Sequence, residues 1–138
     1  MRISAEEARQ RFGRVRSARL ATVSADGEPH LVPVTFAMDG DVLYTAVDAK
    51  PKSTRQLRRL SNIRANPRVC LLADHYAEDW SALWWVRADG TAAIVSDARE
   101  MAAPLGLLAA RYQQYEAEPP EGPVIAIQIS RWSGWSAV

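Results

Sequence analysis

The chain has little of what marks a secreted or membrane-spanning protein. Its 138 residues include one cysteine, Cys70, so no disulfide can form within the chain. This cysteine usage fits a reducing compartment. The N-terminus is charged where a signal peptide has an apolar stretch, and no segment approaches the roughly 18 apolar residues of a membrane span. The sequence therefore favours a cytoplasmic protein without a membrane partner.

An excess of charge of one sign is also missing. The 17 Lys and Arg residues nearly balance 16 acidic residues, and the net charge is +1. This balance provides no overall basic footprint for nucleic acid. The sequence has no glycine-rich phosphate loop and no nucleophile elbow. Its two histidines, His30 and His75, lack metal-ligand spacing, so no metal is expected.

The remaining composition is that of an ordinary globular domain. Hydrophobic residues make up 48% and charged residues 24% of the chain, and the length is typical of one domain. We expect a single domain over residues 1–138.

Short alternating segments joined by Asp-Gly pairs dominate the pattern. The pairs at Asp26, Asp39 and Asp89 are strong hairpin signals, because glycine accepts the positive φ of tight turns. The pattern predicts strands over 19–24, 29–38, 41–47, 68–74, 80–88, 91–95, 124–129 and 131–138, and helices over 5–15, 53–65 and 98–115. So many strands favour a mainly β fold closed into a barrel, with flanking helices.

A basic segment lies between a predicted strand and the helix over 53–65. Backbone N–H groups and the helix dipole favour an anion at such a position. Its candidate phosphate ligands are Lys50, Lys52, Ser53, Arg55, Arg58 and Arg59. The alternative is a solvated basic helix face, which charged segments commonly form.

Three tryptophans, Trp80, Trp84 and Trp85, stand within six residues. In a strand, alternation would place Trp80 and Trp84 on one face and Trp85 on the other. Exposed aromatic side chains are typical of protein interfaces and of walls for flat ligands. The tryptophans therefore indicate a dimer contact, a ring-binding wall or additional core.

Several segments, in order over about residues 17–95, match one family pattern. They are 19–23, Asp26-Gly27-Glu28-Pro29-His30, 31–34, 50–59, 62–69 and Asp79-Trp80. Together they resemble the pyridoxamine 5′-phosphate oxidase-like split-barrel superfamily, and within it the branch of oxidoreductases that use coenzyme F420. In one respect the chain departs from this pattern, because Arg59 stands where relatives commonly have a phosphate-binding lysine.

This resemblance implies a homodimeric split β-barrel with two cofactor sites in grooves between the subunits. The cofactor phosphate would contact the basic segment. The ring system would lie along the second strand, beside Val32, Pro33, Val34, Thr35 and Phe36, and Trp80 of the partner subunit would close the groove.

The function that follows is hydride transfer between F420 and an unidentified small molecule. The extra cations suit the anionic tail of a deazaflavin. FMN-dependent oxidase or reductase activity of the same fold is the first alternative. Non-catalytic binding of a flavin, deazaflavin or tetrapyrrole is the second. Catalytic residues stay unassigned, with Thr35, Tyr44 and His30 as candidate proton donors.

Overall fold

The structure, a computed structural model, describes residues 1–47 and 54–138. Within these ranges the fold is mainly β, with helices on the outside. The helices are α1 (Ala5–Arg14), α2 (Thr54–Ala65), α3 (Ala98–Arg111) and α4 (Gln114–Ala117), and the strands are β1 (Ala18–Val23), β2 (Pro29–Val34), β3 (Ala37–Asp39), β4 (Val42–Ala46), β5 (Arg68–His75), β6 (Trp84–Val95) and β7 (Val124–Ser136).

The strands form one antiparallel sheet in the order β2-β1-β5-β6-β7-β4-β3. Strands β2 and β3 follow each other in the chain but lie at opposite edges of this sheet. The two edges approach each other at the link between β2 and β3. There the Thr45 hydroxyl on β4 donates to the Thr35 carbonyl oxygen at 2.7 Å. No ladder joins β2 to β3 in the described residues, so the barrel has a split between these two edges, beside Thr35.

Local signals in the sequence account for several boundaries. The Ser4 side chain accepts a hydrogen bond from the Glu7 amide at the start of α1, as the cap spacing predicts. Asp97 caps α3 in the same way. Gly27 and Gly40 adopt φ values of 83° and 61° in the first two Asp-Gly turns. These hairpins and the helix predicted over 53–65 are confirmed.

The third predicted hairpin, at Asp89-Gly90, is wrong. Strand β6 continues through both residues, with a register shift between them against β7. A Cβ on Gly90 would lie 2.4 Å from the carbonyl oxygen of Gln128. Glycine is needed here for the close approach of two backbones at a bulge, rather than for a turn.

Other boundaries differ for related reasons. The segments predicted over 124–129 and 131–138 form one strand, β7, and the segment over 29–38 divides into β2 and β3 at Thr35. Trp80–Ala82 forms a 3-10 turn rather than a strand. Helix α3 runs through Pro104 and ends at Arg111, short of the predicted residue 115.

Two apolar clusters hold the layers together. Phe12 of α1 packs inside the barrel, with its ring centroid 5.0 Å from that of Phe36 and 5.4 Å from that of Trp132. Leu108 and Tyr112 of the α3 region form a second, smaller cluster against β3, β4 and β7. This second cluster places the end of α3 and the start of α4 beside the split. No helix in the described ranges is long and apolar enough to span a bilayer.

Candidate functional site

A cavity of about 240 Å³ opens at the split of the barrel. The ends of β2 and β4 form two of its walls, and α2 and α4 contribute one side chain each. Its lining residues are Pro33, Val34, Thr35, Thr45, Ala46, Arg59 and Tyr115. Two strand ends, three hydroxyl-bearing side chains (Thr35, Thr45 and Tyr115) and one cation therefore meet at this space.

Among the described residues of that lining, Arg59 is the only charged one. It is 9% exposed, and its Nε has no hydrogen-bond partner among the described residues. Burial lowers the pKa of the Arg59 guanidinium, yet an arginine stays charged at neutral pH. A buried cation that lacks a counter-ion is costly, and a bound anion would offset that cost. The residues at this cavity thus suit a ligand with an anionic group.

A second cavity, of about 360 Å³, adjoins the first. Its lining residues are Arg16, Thr35, Tyr112, Gln114 and Tyr115. Thr35 and Tyr115 belong to both cavities, and their hydroxyl oxygens are 2.7 Å apart. This hydroxyl pair lies where the two cavities meet, so a ligand in either space has a hydrogen-bonding group within reach.

Tyr112 fixes the wall of the second cavity. Its hydroxyl accepts from the Phe36 amide at 3.1 Å and lies 2.9 Å from the carbonyl oxygens of Phe36 and Arg16. The guanidinium groups of Arg16 and Arg111 lie 4.6 and 5.6 Å from the centroid of its ring. The link between α1 and β1, the link between β2 and β3, and the end of α3 are thereby tied together.

The predicted residues along β2 divide between core and cavity. Val32 and Phe36 are buried in the main core. Val34 is also buried but lines the first cavity together with Pro33 and Thr35. Among the candidate proton donors, Thr35 lies at the junction of the cavities, and Tyr44 packs against the second apolar cluster.

The predicted basic residues do not all lie at one cavity. Lys50, Lys52 and Ser53 lie outside the described residues, as does the side chain of Arg55, whose backbone belongs to α2. Arg58 is exposed and lines a separate cavity of about 430 Å³ with His30, Ser61 and Asn62. The structure thus places the neighbouring Arg58 and Arg59 against different cavities.

The tryptophans separate as well. Trp80 is 72% exposed on its 3-10 turn, and Trp84 packs inward with the Arg11 guanidinium 5.7 Å from its ring. Trp85 pairs across strands with Trp135 on the outer sheet face. Within the described ranges, no cluster of His, Cys, Asp and Glu could hold a metal ion.

Sequence reasoning missed Tyr115, Tyr112, Arg16, Gln114 and Thr45. Tyr112 and Tyr115 stand three residues apart where the Ala- and Leu-rich segment gives way to polar residues. Two tyrosines at the end of an otherwise aliphatic helix were the available signal. Their position opposite Thr35 depends on packing of α3 against β3 and β4, which periodicity does not specify.

A family model described as pyridoxamine 5′-phosphate oxidase matches residues 4–136. The chain therefore belongs to this family, as the sequence motifs indicated.

Individual relatives are more distant. A 5a,11a-dehydrotetracycline/5a,11a-dehydrooxytetracycline reductase of Streptomyces rimosus is 38% identical over 56 residues, which cover 41% of this chain and 38% of that reductase. The match thus spans well under two thirds of that relative's length.

Solved structures share the fold over nearly all of the chain. A FAD-binding protein of Mesorhizobium loti superposes with a TM-score of 0.75 at 24% identity, covering 97% of this chain and 95% of that protein. An F420 reductase superposes with a TM-score of 0.63 at 26% identity, covering 87% and 90% of the two chains.

Proposed function

We propose that this chain is an oxidoreductase that transfers a hydride between coenzyme F420 and a small molecule. Family membership, the reductase that is similar over 56 residues, and the likeness to a FAD-binding protein and an F420 reductase support the general class, a flavin- or deazaflavin-related oxidoreductase. The choice of F420 rests on the F420 reductase and on the cations of the basic segment.

The observation that carries this proposal is Arg59, a buried guanidinium facing a cavity at the split of the barrel. An anionic cofactor group beside it would accept charge-assisted hydrogen bonds in a partly dehydrated site. Pro33 and Thr35 on the cavity wall would position the adjoining part of the cofactor. Lys50, Lys52, Ser53, Arg55 and Arg58 remain proposed additional ligands of the phosphate or tail.

A reduced deazaflavin, when bound, supplies a hydride from a ring carbon. The chain then has to orient the two reactants and exclude water. The Thr35 and Tyr115 hydroxyls could hold an oxygen of the acceptor or pass on a proton. This hydride transfer requires no strong acid or base from the chain.

We further propose that the protein acts as a homodimer. The outer face of β2, β1, β5, β6 and β7 mixes apolar and charged side chains. Leu31 and Leu72 on this face are 66% and 40% exposed, and Arg19, Arg87 and Asp89 lie in the same rows. Trp85 and Trp135 extend this face. An exposed face with large apolar side chains among charged ones fits a second copy of the chain, and Trp80 of the partner subunit is proposed to close the groove.

Calorimetric titration of the purified protein with F420 and with FMN tests the cofactor. We expect micromolar binding of F420, on the order of −8 kcal/mol, and weaker binding of FMN. Arg59→Gln should weaken F420 binding by about 10- to 100-fold, since it removes hydrogen bonds from a charged donor. Arg64→Gln is the matched control, because Arg64 is an exposed cation on the same helix, and it should bind normally.

Other outcomes favour other functions. Tight binding of FMN alone would assign the protein to the flavin-dependent alternative. If neither cofactor saturates the protein, the proposal is wrong, and the basic segment is a solvated helix face. If reduced F420 binds but transfers its hydride to no member of a panel of quinones, enones and tetrapyrroles, a non-catalytic binder becomes the better description.

A further inference from the structure

The second cavity differs from the first in the groups that it offers a ligand. Two tyrosine rings form its walls, in an edge-on arrangement with centroids 5.7 Å apart. In the described part of its lining, Arg16 is the only charged residue, and no side chain carries a carboxylate. The cavity thus combines two flat tyrosine walls with one cation and two further polar side chains, Thr35 and Gln114.

Arg16 has binding capacity left. It donates through one amino nitrogen to the Arg111 carbonyl oxygen at 2.8 Å, and its guanidinium lies over the Tyr112 ring. A guanidinium carries five N–H donors. Arg111, whose guanidinium lies 5.6 Å from the centroid of the same ring, donates to the Val15 carbonyl oxygen. Two arginines thus contact one tyrosine while bonded to backbone oxygens, and their positive charge favours an anion in the cavity.

The junction with the first cavity decides what kind of molecule would lie here. Thr35 and Tyr115 line both spaces. A molecule against the tyrosine walls would therefore lie next to whatever occupies the cavity of Arg59. A reaction between two bound molecules needs this adjacency.

We propose that the cavity of Arg16, Tyr112 and Tyr115 is the acceptor subsite, and that it takes a flat, conjugated molecule with an ionised oxygen. Arg16 binds the ionised oxygen, the tyrosine rings contact the flat part, and the Thr35–Tyr115 hydroxyl pair holds a second oxygen near the junction. The role as an acceptor subsite rests on the proposed function, but the preference for a conjugated anion is a property of the cavity itself.

The test uses salicylate, a flat conjugated anion, and salicylamide, its uncharged counterpart of nearly the same shape. Each is titrated into the full-length ¹⁵N-labelled protein without cofactor, and amide shifts are followed by NMR. We expect salicylate to shift the amides of Arg16, Tyr112 and Tyr115 saturably. Salicylamide should bind about fivefold more weakly or worse, because it cannot form the charge-assisted hydrogen bond.

Two arginine variants test which cation binds salicylate. Arg16→Gln should weaken salicylate binding by about fivefold or more. Arg14→Gln, at an exposed arginine at the end of α1, should leave it unchanged. If the arginine variant does not fold, the comparison of salicylate with salicylamide on the unaltered protein still decides the question.

Three results would overturn the subsite. These are no saturable shift, equal binding of the two probes, and loss of salicylate binding in Arg59→Gln but not in Arg16→Gln. The F420 titration is a separate measurement on the same protein. Failure of salicylate with F420 bound normally would reject only the subsite, and the reverse outcome would reject only the cofactor.

Discussion

Single hydroxyl groups hold the site together at the residue scale. The Tyr112 hydroxyl is buried and bonds to backbone groups on two separate links of the chain. Removing one partner from a buried hydrogen bond leaves the other unsatisfied, which costs more than the bond itself contributes. Tyr112 is therefore a structural anchor of the cavity wall, whatever ligand the wall contacts.

Replacing this residue gives a direct measure of that anchor. Tyr112→Phe keeps the ring and should lower the free energy of unfolding by about 1–3 kcal/mol, because the Phe36 amide loses its acceptor. Urea denaturation followed by tryptophan fluorescence measures the change. Tyr76→Phe, at a tyrosine that is 66% exposed, is the control and should unfold like the parent. Equal stability of all three proteins would show that water replaces the hydroxyl without cost.

At the scale of elements, the long strands β6 and β7 define the barrel, and their bulge depends on one glycine. Gly90→Ala would place a methyl group against a backbone carbonyl oxygen that cannot rotate away. We expect destabilisation of about 1–3 kcal/mol from this overpacking. Gly106→Ala is the matched control. Nothing lies within 4 Å of its added Cβ, so it should stabilise α3 by about 0.5–1 kcal/mol. Thermal unfolding that shifts both variants in the same direction would contradict this explanation of the bulge.

The same strands show what sequence could and could not predict. Ser4, Asp97 and the first two Asp-Gly pairs act through neighbours in the chain, so their caps and turns were predictable. Asp89-Gly90 has the same dipeptide, but pairing of β6 with both β5 and β7 overrides the local turn preference.

The residues of the site also divide into those that the sequence predicted and those that it did not. Thr35 and Arg59 come from motifs, whereas Tyr115 reaches Thr35 across 80 residues of sequence through packing of the second cluster.

At the scale of the whole molecule, strand β2 contributes both to the outer sheet face and to the lining of the first cavity. Leu31 and Pro33 point outward from β2, while Val32 and Val34 point inward. Arg19 and Leu72 continue the row of Pro33 across β1 and β5. A partner on this face would therefore cover the outside of the strand that lines the first cavity. Dimer formation and cofactor binding should be coupled for this reason.

Two leucines of nearly equal exposure can separate a dimer contact from a general surface effect. Leu72 on β5 is 40% exposed on the outer sheet face, and Leu107 on α3 is 38% exposed elsewhere. Leu72→Asp puts an unpaired charge into the proposed interface, whose desolvation is costly. Light scattering after size exclusion should give twice 15.3 kDa for the parent and for Leu107→Asp, and 15.3 kDa for Leu72→Asp. The monomeric variant should also bind F420 more weakly, because the groove would lack its partner wall. A monomeric parent protein would reject the dimer, while a dimer that survives Leu72→Asp would move the contact to another face.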